Sequence, residues 1–252
     1  DIIGSVYEFG GAKDTDFPLF TEETTFTDDT VLTIAVADRL LSEGSYVDKL
    51  HEYANAYPDR GYGGGFLRWV LVGSREPYNS WGNGSAMRVS PVGFAFNDTD
   101  SVLAEAKRSA EVTHNHPEGI KGAQAAALSI FMARTGGSKE QIRDAVESRF
   151  GYDLHRSVEE IRPHYEFNES CQGTVPEAII AFMDSHDYES AIRLAISLGG
   201  DADTLACITG GIADAFYGGV PADIAEPALA ELDAPLRKIV ERFCVRFGVR
   251  GC

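Results

Sequence analysis

Helix-start signals recur along this chain so closely that little but a helical fold can accommodate them. Thr27 and Asp28 offer cap oxygens ahead of an apolar run over 31–41, which Gly44 stops. Ser138 with Gln141, Ser157 with Glu160, and Thr174 with Glu177 each have capping-box spacing, in which two orphan N–H groups are satisfied reciprocally. The segment after Ser138 runs to Phe150 and meets Gly151, a residue suited to the left-handed position beyond a helix end. Apolar and alanine positions recur at helical spacing over 99–112, 122–134, 188–198 and 204–217. Strand signals are thin: the short apolar runs 66–72 and 89–96 fit either state. No repeat, low-complexity tract or Pro/Ser-rich linker divides the chain, so an all-α fold in one domain over 1–252 is expected. Within it, 220–252 reads as two helices outside any site, offering packing or dimer surface.

With 252 residues, 44% of them hydrophobic, the chain can bury a core without disulfide or zinc staples. Its formal net charge of −17 repels phosphate backbones, so nucleic acid is disfavoured as a partner. Cys171, Cys207, Cys244 and Cys252 form no C-x-x-C pair and no Cys/His cluster of zinc spacing; reduced, mostly buried thiols in a cytoplasmic protein are expected. No apolar run approaches the ~20 residues of a membrane span, and no secretory leader is read. A monomer is expected.

Two segments carry the chemistry. Thr27-Asp28-Asp29-Thr30 and Gly199-Gly200-Asp201-Ala202-Asp203-Thr204 each open a helix with two carboxylates and a hydroxyl. Either alone has an ordinary explanation, since acidic residues favour a helix N-terminus. Together they supply hard oxygen ligands of the kind that hold Mg²⁺ or Mn²⁺ rather than zinc or copper. Glu8 adds a carboxylate that spacing alone places on the surface. Gly61–65 and Gly82–84 lie in loops where a backbone can approach a ligand closely.

In this order the motifs resemble the ADP-ribosylglycohydrolases of the dinitrogenase-reductase-activating type. Asp1-x-x-Gly4-Ser5-x-Tyr7-Glu8 is similar to that family's opening G-D-x-x-G-S-x-x-E, whose first Gly would precede Asp1. Thr27-Asp28-Asp29-Thr30, Gly61-Tyr62-Gly63-Gly64-Gly65, the 80–88 segment SWGNGSAMR, Thr113-His114-Asn115-His116-Pro117 and Gly200-Asp201-Ala202-Asp203-Thr204 resemble its further motifs. The resemblance implies an orthogonal helical bundle with two Mg²⁺ (or Mn²⁺) ions held by Thr27, Asp28, Asp29, Asp201, Asp203 and Thr204, and Glu8 as a movable carboxylate beside them. It implies an ADP-ribose cleft lined by Gly63, Gly64, Gly65, Ser80, Trp81, Gly82, Asn83, Gly84 and His114. In that reading Asp29 or Glu8 orients or deprotonates the attacking water. Trp81 offers a face for adenine, and backbone N–H groups of both glycine loops receive the diphosphate. His114 donates to a phosphate or ribose.

The activity so implied is metal-dependent hydrolysis of the bond joining ADP-ribose to a modified protein side chain. Rival readings are hydrolysis of O-acetyl-ADP-ribose, a phosphoester or a nucleotide on the same scaffold, or a non-catalytic ADP-ribose binder. His116 is read as shaping its loop, Arg88 as making a structural salt bridge, and His51, His155, His164 and His186 as surface or packing residues. The chain is shorter than the family's better-known members, which points to trimmed loops near the cleft.

Overall fold

The helix over Pro117–Arg134 is apolar almost all round, and that sets the architecture. A helix without a polar face has to be wrapped by others. The computed structural model, which describes residues 1–9 and 11–250, wraps it on every side. In chain order, a 3-10 turn at Gly4–Val6 precedes α1 (Asp28–Leu41), α2 (Tyr46–Ala56), α3 (Gly64–Leu71), the single turn α4 (Gly84–Met87) and α5 (Ser90–Ala95). There follow α6 (Thr99–Glu111), the central α7 (Pro117–Arg134), α8 (Lys139–Phe150), the short α9 (Val158–Ile161), α10 (Cys171–Asp184) and α11 (Tyr188–Ser197). The long α12 (Ala202–Tyr217) leads to α13 (Ala222–Ala230) and α14 (Ala234–Phe247). Among the described residues there is no strand, only an isolated bridge between Gly82 and Ser170. Both ambiguous runs are helical, as α3 and α5. No described helix is long and apolar enough to cross a membrane.

Helices α4, α5, α6, α8, α10 and α12 all pack on α7. Ala123, Ala125, Ala126 and Ala127 on α7 let those neighbours approach closely, and Leu128 and Ile130 fill the space between them. A second apolar cluster, built on Phe26, Val31, Leu32, Leu50, Phe66, Trp69 and Leu236, joins α1 to α2, α3 and α14. Helix α1 serves both, giving Val36 to the first cluster. Helix α14 packs on α1 and gives Leu236 to the second cluster, while α13 gives Ile224 to the first.

The Ser138 and Ser157 capping boxes form as expected, and Asp187 makes a third, with Ser190. The Thr174 box does not form. Ser170 caps α10 instead, one turn earlier, and the Thr174 hydroxyl, inside the helix, donates to Asn168 O at 2.8 Å. The earlier start is favoured because Cys171 N donates to Trp81 O at 2.9 Å, tying the first turn of α10 to the 80–84 segment. Cys171 and Cys207 are free thiols, the former fully buried. Cys244 is disulfide-bonded, which corrects the expectation of reduced thiols there; Cys252 lies outside the described residues.

Candidate metal centre and substrate cleft

The N-terminus of α1 is held by a residue far from it in sequence. Thr27 occupies the cap position in extended geometry but its hydroxyl makes no cap bond. Asp1 does the work: its carboxylate accepts from Thr27 N at 3.1 Å, Thr27 Oγ1 at 2.8 Å, Thr30 N at 3.1 Å and the Thr30 hydroxyl. Because Asp1 satisfies these donors, Asp28 and Asp29 are not consumed by capping and project elsewhere.

They project toward α12. Gly199 and Gly200 both have φ near +70°, a region that favours glycine, and the turn they make delivers Asp201 to the cap position of α12. Asp201 Oδ2 accepts from Asn83 Nδ2 at 2.7 Å, and Asn83 Nδ2 also reaches Thr174 Oγ1 at 3.1 Å. The two helix starts are cross-linked: Thr204 Oγ1 donates to Asp29 Oδ2 at 3.3 Å, and Thr27 Oγ1, its proton given to Asp1, lies 3.4 Å from Asp203 Oδ2. Oxygens of Glu8, Asp201 and Asp203 lie within 4.8 Å of one another, so Glu8 belongs to this cluster and is not the surface residue that spacing suggested.

The turn that carries Glu8 is pressed directly against the start of α12. A Cβ placed on Gly4 would sit 2.5 Å from Asp203 Cα. Gly4→Ala is therefore expected to push the N-terminal turn off α12, at a cost of about 1–3 kcal/mol, and to weaken divalent-cation affinity as Asp203 and Glu8 separate. Thermal unfolding and cation titration of the variant check both effects; wild-type values in both would overturn this account of the packing.

So many carboxylates in one dry place resist ionising. Burial, and then the Asp203 and Asp201 charges, push Asp28 up to about 8. Burial with Asp203, Asp28 and Asp201 holds Asp29 well above the usual carboxylate range. Burial and Asp203 push Asp201 up to about 8, and burial with Asp203 and Glu169 pushes Glu8 up to about 7. Asp29 Oδ1 is buried with no hydrogen-bond partner. An orphaned carboxylate oxygen inside a cluster whose candidate ligands are carboxylates and hydroxyls is a set of residues that fits hard divalent cations.

The cluster forms one end of a cavity of about 230 Å³. Gly63, Gly64 and Gly65 wall one side where α3 begins; the first N–H groups of that helix have no intrahelical acceptor. Ser80, Gly82, Asn83 and Gly84 also line it, together with His114. Thr113 O accepts from Tyr78 N and Ser80 N, both at 3.4 Å, and Asn115 Oδ1 from Asn79 N at 2.8 Å, so the His114 loop fixes the 78–80 segment. Trp81 stands apart. It is 53% exposed and faces a neighbouring groove with Phe167, its ring 5.6 Å from that of His116.

Sequence reasoning overlooked Phe167 and Glu169, which line both the cavity and that groove. They precede the Ser170 cap in a loop of no marked pattern, so nothing singled them out. Phe167 stacks on the exposed Phe9, centroids 6.1 Å apart, beside Glu8. Arg88 makes no salt bridge among the described residues, contrary to expectation: it is fully buried and donates to Ser109 O and Thr113 Oγ1.

Comparison with known proteins gives a consistent result. The model of a family described as ADP-ribosylglycohydrolase matches residues 1–250. ADP-ribosylhydrolase ARH3 of Mus musculus is 30% identical over 79% of this chain and 71% of its own length. ADP-ribosylarginine hydrolase Tri1 of Pseudomonas putida is 26% identical over 80% of this chain and 62% of its own. A solved structure titled ADP-ribosylglycohydrolase-related protein complex superposes with a TM-score of 0.71 at 27% identity, covering 98% of this chain and 92% of that one.

Proposed function

The chain belongs to the ADP-ribosylglycohydrolase family, and on that premise we propose that it cleaves the glycosidic bond between ADP-ribose and a modified protein side chain, with two Mg²⁺ or Mn²⁺ ions as cofactors. The observation that carries this reading is the convergence of Glu8, Asp28, Asp29, Asp201 and Asp203 from three segments on one end of a glycine-walled cavity. Thr27, Asp28, Asp29, Asp201, Asp203 and Thr204 would hold the ions. When bound, such ions fix ribose hydroxyls and favour deprotonation of a nearby water.

The remaining chemistry falls to the chain itself. Asp1 fixes the start of α1, and Asn83 fixes Asp201, so the acids keep their places when the cavity fills. Glu8, half-buried in the cavity lining with its carboxylate within 4.8 Å of those of Asp201 and Asp203, is placed to take a proton from the attacking water. Asp29, with one oxygen unpartnered, is the second candidate for that role. Acidic residues around the anomeric carbon favour the positive charge that develops as the glycosidic bond breaks. The α3 N–H groups from Gly64 onward and the 82–84 loop suit a diphosphate. Trp81 and Phe167 offer adenine a flat face in the adjoining groove. The working unit is the whole chain as one domain, since α1 is built into both apolar clusters.

Matched arginine-, serine- and ester-linked ADP-ribose substrates with Mg²⁺, with and without EDTA, test the proposal by mass spectrometry of products. Metal-dependent release of intact ADP-ribose is expected, and the substrate cleaved fastest names the linkage. Release of phosphate instead would point to phosphoester hydrolysis. No release from any substrate by folded, metal-loaded protein would sink the proposal.

A further inference from the structure

Beneath the glycine loop of the cleft, Arg88 and Thr113, which the proposed chemistry does not use, lead in a hydrogen-bonded line to His114. Arg88, fully buried, donates from one Nη to Ser109 O at 2.9 Å and to Thr113 Oγ1 at 2.8 Å. Its other N–H groups, on Nε and the second Nη, have no partner, and no carboxylate pairs with it among the described residues. Thr113, also fully buried, lies 2.8 Å from His114 Nδ1. The far edge of the ring faces the cleft wall. A Cβ on Gly84 would lie 3.2 Å from His114 Nε2, tighter than ordinary contact, and one on Gly82 at 3.5 Å, so both glycines flank that nitrogen and the one at 84 keeps it clear. His114 Nε2 has no hydrogen-bond partner among the described residues and belongs to the cavity lining.

Proton counting settles the direction of the line. A guanidinium only donates, so Thr113 Oγ1 accepts from Arg88 and uses one lone pair. The hydroxyl keeps one proton, and the one remaining neighbour at hydrogen-bond distance is His114 Nδ1. Were Nδ1 to donate as well, the hydroxyl proton would be buried with no acceptor, an expensive arrangement. Nδ1 is thus the acceptor, and the single ring proton sits on Nε2, pointing into the cleft. Burial, and then the Arg88 charge, hold His114 well below the usual histidine range, so the ring stays neutral.

We infer that Arg88 and Thr113 are positioning residues that lock His114, the cleft donor the resemblance implies, in its neutral Nε2–H form. The inference rests on the cleft being an ADP-ribose site as proposed above. Arg88 adds to this a buried positive charge close under the ring, in a chain that is otherwise strongly acidic. A neutral donor held in one tautomer need not reorganise as the ligand arrives.

Two-bond ¹H–¹⁵N correlation spectra of the ligand-free full chain read the ring directly, with the His114 signals assigned by their loss in His114→Phe. A pyridine-type Nδ1 and a pyrrole-type Nε2 are expected, unchanged through the range where histidine ordinarily titrates. Thr113→Val should lose the fixed tautomer and weaken ADP-ribose binding, titrated with Mg²⁺ present, about tenfold, the scale of a hydrogen bond to a charged group. Thr113→Ser should restore both. A protonated Nδ1 in the wild type, or an intact Nε2–H tautomer in a folded Thr113→Val, overturns the inference. If Thr113→Val does not fold, the wild-type and Thr113→Ser spectra still decide. The tautomer is read without ligand, so failure of the wild type to bind ADP-ribose would count against the cleft assignment and leave the relay judged on its own spectrum.

Discussion

Asp29→Asn is expected to lower the rate of ADP-ribose release by about 10³-fold or more while making the metal-free protein more stable than wild type. The two effects share one cause. Asp29 is buried with Oδ1 unpartnered, and its ionised form is opposed by burial and by Asp203, Asp28 and Asp201. An amide of the same shape keeps the Thr204 Oγ1 contact, which needs only an acceptor oxygen, and is neutral without having to take up a proton on folding as Asp29 must. Without cations the variant should melt several degrees above wild type, since about 1 kcal/mol moves Tm by about 2–4 °C in a chain of this size. With Mg²⁺ the order should reverse, because the variant has lost a ligand that the ion would stabilise. Calorimetry in EDTA and in Mg²⁺, beside product release, measures both. Activity within threefold of wild type would remove Asp29 from the centre. An unchanged metal-free Tm would show that keeping the Asp29 carboxyl neutral costs the fold nothing.

Much of this arrangement was legible in the residues. The two acid-hydroxyl segments announce themselves because hard ligands must sit on constrained backbone, and helix starts supply it. The Ser138 and Ser157 caps and the ranges of α6, α11 and α12 followed from local chemistry that acts over three or four residues. Contacts made across long separations were the ones missed. Asp1 caps α1 from 26 residues away, so no local pattern marked it as the brace of the metal ligands. The start of α10 was misplaced because a backbone bond to Trp81 O chose Ser170 over Thr174. The resemblance put Trp81 in the ligand cleft; its ring lines the adjoining groove, and the unremarked Phe167 lines both groove and cavity. Arg88 looked like half of a salt bridge, yet the groups around it are carbonyls, hydroxyls and an imidazole.

Chelation should make stability depend steeply on pH, and the sign follows from the direction of the shifts. Asp28 and Asp201 are raised to about 8 and Glu8 to about 7, all above the values they would have in an unfolded chain. Between about pH 4 and pH 8 the folded protein therefore binds more protons than the unfolded one, and stability falls as pH rises. The contribution is fully present below the unfolded values and is lost as pH climbs through the folded ones. In EDTA, Tm should drop by at least about 5 °C from about pH 5 to about pH 8, given about 2–4 °C per kcal/mol and about 1.4 kcal/mol per pKa unit. Saturating Mg²⁺ should abolish most of that slope, because a cation takes over the charge balance that the bound protons supplied. Removing the metal should then cost more stability at about pH 8 than at about pH 5, the reverse of ordinary acid denaturation. A pH-independent Tm in EDTA, with metal loss verified by elemental analysis, would mean that the carboxylates separate when the ions leave; the cross-links from Thr27 to Asp203 and from Thr204 to Asp29 would then have to break in the metal-free state.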